Sequence, residues 1–523
     1  MKSKRLALTT CLIAALFGNA FAQQGNQLGK VRFPTSCDPT VQAEFERGVA
    51  MLHSYWFGPA RRTFEAVLKQ DPTCVMAYWG IAVDLLGNTL VGPPPPATAQ
   101  PAWEALEKAR TVGAKTPRER DWIEALSAYY REHDKVALDT RLLAYTTALE
   151  HLTHRYPDDY EAHVFYALTL QASAPKADVT YANQLKSAAI LEKLYELNPQ
   201  HPGVSHFLIH AYDYAPLAEK GLAAARRYAG IAPAVPHAQH MPSHIYSMVG
   251  MWEESIASNA SAIEIQPDYY HASDFTVYAH LQLAQDGKAK AMIDRTLKIH
   301  GDRFTPALAG ATALVAMPAR YALERGDWGA AAALPVTGTA SQVPQAASLT
   351  HFARGLGMAR SGDLANTKAE IESIKALQVA LEKASQPYWA ARSEEQILAL
   401  SAWIAFKEGN VEQAVKLMRA AADGEDGSVK HVAMENRLYP LRQLLGDLLL
   451  EMGQASAALK EYETALKDGP NRYRGFLGAA RAAEKAGERQ KAAHYFAKLV
   501  DLVQRADTDR PETREAKAFL ARN

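Results

Sequence analysis

Five histidines lie within forty residues of one another, in the segments PGVSHFLIHAYDY (202–214) and VPHAQHMPSHIYSM (235–248). They are His206, His210, His237, His240 and His244. Eight of the chain's 17 histidines fall between residues 201 and 280. Neutral imidazole is the commonest protein ligand for zinc, copper and iron. The concentration therefore suggests a transition-metal site in this part of the chain.

The spacing of these histidines fits two helical faces. Residues four apart share one face of a helix, which pairs His206 with His210 and His240 with His244. Two imidazoles from one helix and a third group from the next would fill three coordination positions and leave one open. Copper, iron and zinc suit such a set better than magnesium or calcium, which prefer oxygen ligands. Zinc would imply hydrolysis and copper or iron would imply oxidation, and the sequence leaves this choice open.

The elements that position the histidines follow a repeat. Pro199, Pro233 and Pro267 are 34 residues apart and close similar phrases, LEKLYELNP, ARRYAGIAP and SAIEIQP. A helix, a turn, a second helix and a proline at this period form the tetratricopeptide signature. A skeleton of turn glycine, small residue, large residue and proline recurs at Gly453, Ala458, Tyr462 and Pro470.

On these residues the chain resembles tetratricopeptide-repeat (TPR) proteins over most of its length. The phrase HAQHMPSHI is also similar to a HAxHMPSHI phrase in exported bacterial TPR proteins. The resemblance implies an all-α fold, a right-handed superhelical solenoid of helix–turn–helix repeats, with two arrays as one option. We expect an N-terminal array with a histidine-rich groove at 23–333, a linker at 334–348 and a C-terminal array at 349–523.

The resemblance also implies which side chains face the groove, because the first helix of each TPR unit lines it. The predicted metal ligands are His206, His210, His237, His240, His244, His271, Asp213 and Asp274. Asp213 and Asp274 would either ligate or orient an imidazole through its second nitrogen. Tyr212 and Tyr246 are expected near the same pocket.

Pro242 breaks the pattern, because it falls inside a repeat helix and removes a hydrogen bond there. Either the helix is kinked, or it begins near Pro242 and leaves His237 and His240 in a shaped loop. Irregularity inside a regular array often coincides with a functional site.

Three functions remain open from the sequence. The first is a scaffold that binds a peptide or protein partner in the groove without a metal, and the second is a metal-binding scaffold. The third is a metalloenzyme, either a copper or iron oxidase or a zinc hydrolase. The sequence contains no H-E-x-x-H, G-x-S-x-G or Walker phosphate loop, so we expect no nucleotide cofactor. Equal counts of 57 basic and 57 acidic residues argue against a nucleic-acid partner.

The N-terminus and the cysteines indicate the compartment. MKSKR, LALTTCLIAALF and NAFA form the three regions of a signal peptide at 1–22, cleaved after Ala22. No later run is apolar enough for a membrane span. We therefore expect a periplasmic or secreted protein. Under the TPR resemblance, Cys37 and Cys74 lie at the N-termini of two neighbouring parallel helices, and we expect a disulfide between them.

Overall fold

The computed structural model describes residues 27–92, 94–175, 177–301, 303–305, 307–336, 338, 342–435 and 437–522. The predicted signal peptide at 1–22 and its cleavage site at Ala22 lie outside these residues. All regular secondary structure in the described residues is helical, so the predicted all-α fold class is confirmed.

The described chain forms two compact units. Unit 1 is made of the described residues up to Ala174 with Tyr181–Tyr212 and Gly221–Pro242, and unit 2 of Pro175–Thr180, Asp213–Lys220 and the described residues from Ser243 onward. The chain passes from unit 1 to unit 2 after Pro242. Two short earlier segments, Pro175–Thr180 and Asp213–Lys220, also belong to unit 2. The expected boundary at 334–348 lies instead within unit 2, where helix α18 (Pro344–Ser361) already begins at the proline of that segment. Proline is favoured in the first turn of a helix, because its missing N–H would be unpaired there.

Unit 1 consists of consecutive helices joined by short turns. Its helices are α1 Gln42–His53, α2 Phe57–Gln70, α3 Val75–Leu86, α4 Pro96–Val112, α5 Pro117–Tyr130, α6 Leu138–Arg155, α7 Tyr160–Ala172, α8 Ala182–Leu197, α9 Pro202–Tyr212, α10 Leu222–Ile231 and α11 Pro236–His240. Each helix packs on the next, and α9 also packs on α1, far away in the sequence.

Unit 2 continues the same pattern. Its helices are α12 Pro242–Met248, α13 Trp252–Ile265, α14 Tyr270–Gln282, α15 Asp286–His300, α16 Leu308–Glu324, α17 Trp328–Ala332, α18 Pro344–Ser361, α19 Leu364–Lys383, α20 Pro387–Lys407, α21 Val411–Asp426, α22 Leu441–Glu451, α23 Ala455–Asp468, α24 Tyr473–Lys485, α25 Arg489–Leu502 and α26 Pro511–Ala521. Pro242 itself, the first residue of α12, belongs to unit 1.

The repeat skeleton determines how neighbouring helices pack. Phe64 on α2 fits against Gly48 and Gly80, where an added Cβ atom would lie 2.6 Å from its ring. Tyr462 on α23 packs against Gly446 and Gly478 in the same way. The small residues let the helices approach closely and the large ring fills the space between them. These helix–turn–helix pairs are of the tetratricopeptide type.

Pro242 divides the histidine-rich segment into two short helices. Helix α11 ends at His240 and α12 begins at Pro242, with Met241 between them in the helical region of φ and ψ. His240 and His244 are therefore on two separate helices. Of the two alternatives from the sequence, a helix that begins near Pro242 agrees better with the structure than a single kinked helix. His237 and His240 lie on a short helix, however, rather than in a loop.

The two cysteines of the described chain are bonded to each other. Cys37 and Cys74 form a disulfide with their Cα atoms 4.7 Å apart, as predicted. Closing a loop of this length stabilises the fold by about 3–4 kcal/mol in the chain-entropy model. Among the described residues, no helix is both long and apolar enough to cross a membrane.

Candidate metal centre

The close contact between α9 and α1 creates the site in unit 1. Gly203, in the first turn of α9, lies against the His53 side chain at the end of α1. A Cβ atom at this glycine would lie 2.5 Å from Nδ1 of His53. The missing side chain therefore lets α9 pass close enough for its next turn to reach the backbone of α1.

Three imidazoles converge where α9 faces α11. Nε2 of His206 lies 3.0 Å from Nε2 of His210 and 3.0 Å from Nε2 of His237. One nitrogen from each of the three rings lies within 4.8 Å of the chosen nitrogens of the other two rings. His206 and His210 are buried and His237 is partly buried. Each ring thus directs a nitrogen toward a shared point inside unit 1.

The tautomer of His206 follows from its other nitrogen. Nδ1 lies 2.6 Å from the backbone carbonyl oxygen of His53, which can only accept a hydrogen bond. Nδ1 of His206 therefore carries the proton, and in the neutral ring Nε2 keeps its lone pair. Metal-binding histidines are oriented by this kind of bond from the second nitrogen to a carbonyl or carboxylate. The acceptor is also one of the last carbonyls of α1, which have no partner within the helix.

A buried carboxylate fixes the end of α1. Glu161 on α7 accepts from Nε2 of His53 at 2.7 Å and from Nε2 of His201 at 2.8 Å. Nδ1 of His201 accepts from the backbone N–H of Val204, so its Nε2 carries the proton given to Glu161. Burial opposes the charge on Glu161, yet the two imidazoles outweigh it and lower its pKa to about 2. An ionised glutamate thus holds His53, whose carbonyl in turn orients His206.

Two imidazoles of the site, those of His206 and His237, have lowered pKa values that favour the neutral form. Burial lowers the pKa of His206 well below its ordinary value, and the nearby imidazole of His210 adds to the effect. Burial also lowers the pKa of His237, with further contributions from His206 and His240. Only neutral imidazole can bind a metal ion. The rings of His206 and His237 are therefore neutral across the neutral pH range.

Two tyrosines enclose the cluster. The Tyr55 ring contacts His206 at 4.5 Å, His237 at 5.3 Å and His210 at 6.1 Å between ring centroids. The Tyr228 ring stacks on His206 at 5.3 Å, and its hydroxyl donates to Ser54. The hydroxyl of Tyr55 is buried and has no hydrogen-bond partner among the described residues.

The other predicted ligands are distributed over both units. His240 lies in unit 1 with its ring 6.0 Å from that of His237. In unit 2 the rings of His244 and His271 are 5.6 Å apart. Nδ1 of His244 donates to Asp213 at 2.8 Å, and Lys430 donates to the same carboxylate oxygen at 3.2 Å. Asp213 therefore contacts both an imidazole and an ammonium group.

Three further candidates have other surroundings. Asp274 is buried and accepts from Nε of Arg320 at 3.1 Å. The Tyr212 hydroxyl donates to Glu192 on α8 at 2.5 Å. Tyr246 is buried on α12. Asp274 thus forms a buried ion pair with Arg320.

Sequence reasoning missed Tyr55, Glu161, His201 and Tyr228, and it treated His53 only as a core residue. The contact between α9 and α1 that gathers them is a long-range one and leaves no periodic signal. Tyr55 could have been found, because it stands in a turn where several other repeats have glycine.

No family model and no curated protein matches the sequence. Among solved structures, the chain is similar to the human IFIT1 dimer with PPP-AAAA at 10% identity and a TM-score of 0.39, covering 82% of this chain and 90% of that chain. The human IFIT1 dimer with m7Gppp-AAAA has 14% identity and a TM-score of 0.34, with 86% and 90% covered. The APC/C hetero-tetramer Cut9-Hcn1 has 12% identity and a TM-score of 0.30, with 92% and 90% covered. They carry no inference about what this chain binds.

Proposed function

We propose that unit 1 binds one transition-metal ion through His206, His210 and His237. The observation that carries the proposal is the convergence of three Nε2 atoms around His206, whose other nitrogen is tied to a carbonyl. Such a bond both selects the ligating tautomer and fixes the ring.

The separations between the nitrogens support a metal centre. Zinc binds imidazole nitrogen at about 2.0–2.1 Å, so two ligands of a tetrahedral site lie about 3.3 Å apart. Two of the Nε2 pairs here are 3.0 Å apart, which requires only a small expansion on binding. The donor set contains imidazoles alone, and this favours zinc, copper or iron over magnesium or calcium.

Three protein ligands leave room for a fourth, and this favours a centre that binds a further ligand. Structural zinc sites are usually closed by four protein ligands, whereas catalytic sites use three and an open position. Hydrolysis at zinc and oxidation at copper or iron are the two chemistries that follow. A peptide-binding groove would need exposed side chains, whereas two of these three imidazoles are buried.

The test is metal binding by untagged protein. Cobalt(II) titrated into the metal-free protein should bind with one equivalent at unit 1, give visible absorption bands and raise the melting temperature by mass action. His210→Ala should weaken binding at least 100-fold with the helical circular dichroism retained. His163→Ala is the matched control, because this partly exposed histidine on α7 contacts only the Pro157 carbonyl and should bind metal like the wild type. Wild-type protein that binds no stoichiometric metal would contradict the proposal and favour a hydrogen-bonded scaffold.

A second candidate centre is in unit 2. His244 is oriented by Asp213 as His206 is by a carbonyl, and His271 lies beside it. We infer that these imidazoles could supply two donors to another ion. A second cobalt equivalent that disappears in His244→Ala, with the first one retained, would support it. A single equivalent unaffected by His244→Ala would dismiss it.

We also propose that the protein is exported to the periplasm or secreted. The sequence pattern of residues 1–22 and the Cys37–Cys74 disulfide support this. Thiol titration of the denatured, unreduced mature protein should find no free thiol. Two free thiols would contradict both the bond and the oxidising compartment.

A further inference from the structure

Tyr55 occupies a turn position that is usually glycine in this chain. After α1, Tyr55 N–H bonds the Leu52 carbonyl and Trp56 N–H bonds the Met51 carbonyl. The same pair of bonds, at the same spacing, ends eight other helices of the described chain. The residue equivalent to Tyr55 in those turns is Gly250, Ala284, Gly326, Gly362, Ser385, Gly409, Gly453 or Gly487.

The backbone at this position has a positive φ, which makes the tyrosine unfavourable. Tyr55 has φ of 51°, and a left-handed conformation costs a residue with a side chain roughly 1–2 kcal/mol. Among the nine turns, Tyr55 is the only bulky residue. Backbone strain of this kind is retained where the side chain has a function.

The side chain adds a second unfavourable feature. Its hydroxyl oxygen is buried without a hydrogen-bond partner, which costs roughly 1–3 kcal/mol. A phenylalanine would provide the same ring contacts without this cost. The ring contacts all three imidazoles of the proposed metal centre. An unpaired phenol whose ring contacts the three imidazoles is therefore a group prepared for a ligand.

The charge of the centre indicates which ligand. Three neutral imidazoles would leave a divalent ion with a net charge of two in a buried place. The buried carboxylate of Glu161 is linked to the centre through His53. It already accepts hydrogen bonds from His53 and His201. An anionic ligand would supply the compensating negative charge, and a phenol O–H is a strong donor to an anionic oxygen.

We propose that Tyr55 donates its phenolic hydrogen bond to an anionic oxygen, such as that of a carboxylate, bound in the open position beside His206, His210 and His237. The inference rests on the proposed metal centre. It deepens that proposal by naming an oxygen anion as the class of ligand and Tyr55 as the residue that recognises it.

The test compares Tyr55→Phe with the wild type after loading with cobalt(II), with acetate as the probe. Acetate should shift the visible bands of the wild-type protein, and its Kd should rise at least tenfold in Tyr55→Phe while the affinity for cobalt stays the same. Tyr156→Phe, which removes a hydroxyl bonded to Asp121 elsewhere in unit 1, should bind acetate like the wild type. An unchanged acetate Kd in Tyr55→Phe would overturn the inference and leave the metal centre standing.

Other outcomes are equally informative. Cobalt affinity lost in Tyr55→Phe would make the phenol a ligand and overturn the role as donor. Wild-type protein that binds no cobalt would remove both proposals. If Tyr55→Phe does not fold, fluorotyrosine at position 55 of zinc-loaded wild-type protein should show a fluorine shift on acetate addition, and no shift would refute the contact.

Discussion

Glu161 in unit 1 and Glu435 in unit 2 are both fully buried, and their surroundings are opposite. Both oxygens of Glu161 accept hydrogen bonds from imidazoles, whereas the hydrogen-bond donor beside Glu435 is the Ser247 hydroxyl. The nearest cation to Glu435 is Arg320, whose Nη1 lies 3.8 Å away. Burial raises the pKa of Glu435 to about 7, while the imidazoles of His201 and His53 hold that of Glu161 at about 2 despite its burial. Hydrogen-bond donors, more than depth, decide whether a buried carboxylate is charged.

The difference has a consequence for function. The charged Glu161 is part of a continuous set of contacts that ends at Nε2 of His206, the nitrogen that we propose as a metal ligand. Glu435 lies in a group with Arg320 and Asp274, where its contact is with a guanidinium rather than with an imidazole. The two carboxylates should therefore respond differently to the same substitution.

The largest expected effect comes from Glu161→Gln compared with Glu435→Gln. A glutamine at 161 presents its own N–H₂ group to one of two imidazole N–H donors, which leaves that donor buried and unpaired. The free energy of unfolding of unit 1 should fall by about 3 kcal/mol, as for a broken buried pair. Glu435→Gln should cost unit 2 less than Glu161→Gln costs unit 1 at pH 7, because a carboxyl with a pKa of about 7 is already about half neutral there. Hydrogen exchange followed by mass spectrometry reports each unit separately.

Metal affinity provides a second readout of the same pair. Glu161→Gln should weaken cobalt binding about 10–100-fold, the usual effect of losing a group that orients a ligand. Glu435→Gln should leave it unchanged. Equal losses in both variants would mean that Glu161 does not support the centre.

A smaller effect, of opposite sign in the two units, is expected from pH. In unit 1, Glu161 has a lowered pKa, so its contribution is present above its ordinary value and is lost as pH falls toward 2. His53, His206 and His237 also have lowered pKa values, because burial disfavours their charged forms. Their contribution is likewise lost as pH falls below about 6.5.

In unit 2, carboxylates with raised pKa values give stability the opposite dependence on pH. Burial raises the pKa of Glu395 and Glu435 to about 7 each and also raises that of Glu425. Their stabilising protons are present below about 4.3 and are lost as pH rises to 7. His280 in unit 2 has the opposite effect, because burial lowers its pKa, but the three glutamates outnumber it. From pH 7 to 5, unit 1 should lose stability and unit 2 should gain it, each on the order of 1–2 kcal/mol in hydrogen exchange. Parallel changes in both units would contradict the assigned charge states.

The fold could be read from the sequence because each repeat carries its own signal. The 34-residue spacing of Pro199, Pro233 and Pro267 and the skeleton around Tyr462 depend on local packing, and helices formed where they predicted. The linker expected at 334–348 stays a prediction, and Pro344 within it begins helix α18, since proline begins a helix as readily as it ends one. A proline in a loop-like composition does not distinguish the two.

The site could be predicted only in part. His206 and His210 share a helix, so their spacing sufficed to pair them. The grouping with His237 depends on the break at Pro242. This break separates α11 from α12, so the position of His237 cannot be obtained by counting residues along one continuous helix. The contacts that orient His206 come from α1 and α7, and no regular spacing relates those helices to α9.

The smallest prediction measures the backbone strain that distinguishes the Tyr55 turn from its glycine equivalents. Gly487 has φ of 79°, and an added Cβ atom there would meet nothing within 4 Å. Gly487→Ala should therefore destabilise unit 2 by about 1 kcal/mol through φ alone, since no clash contributes. Gly230, inside α10 and equally free of neighbours, has an ordinary helical φ, so Gly230→Ala should stabilise unit 1 by up to about 1 kcal/mol. Urea unfolding followed by hydrogen exchange in each unit measures both. A neutral Gly487→Ala would mean that these turns tolerate side chains freely, and the tyrosine at position 55 would then need no ligand to explain its backbone.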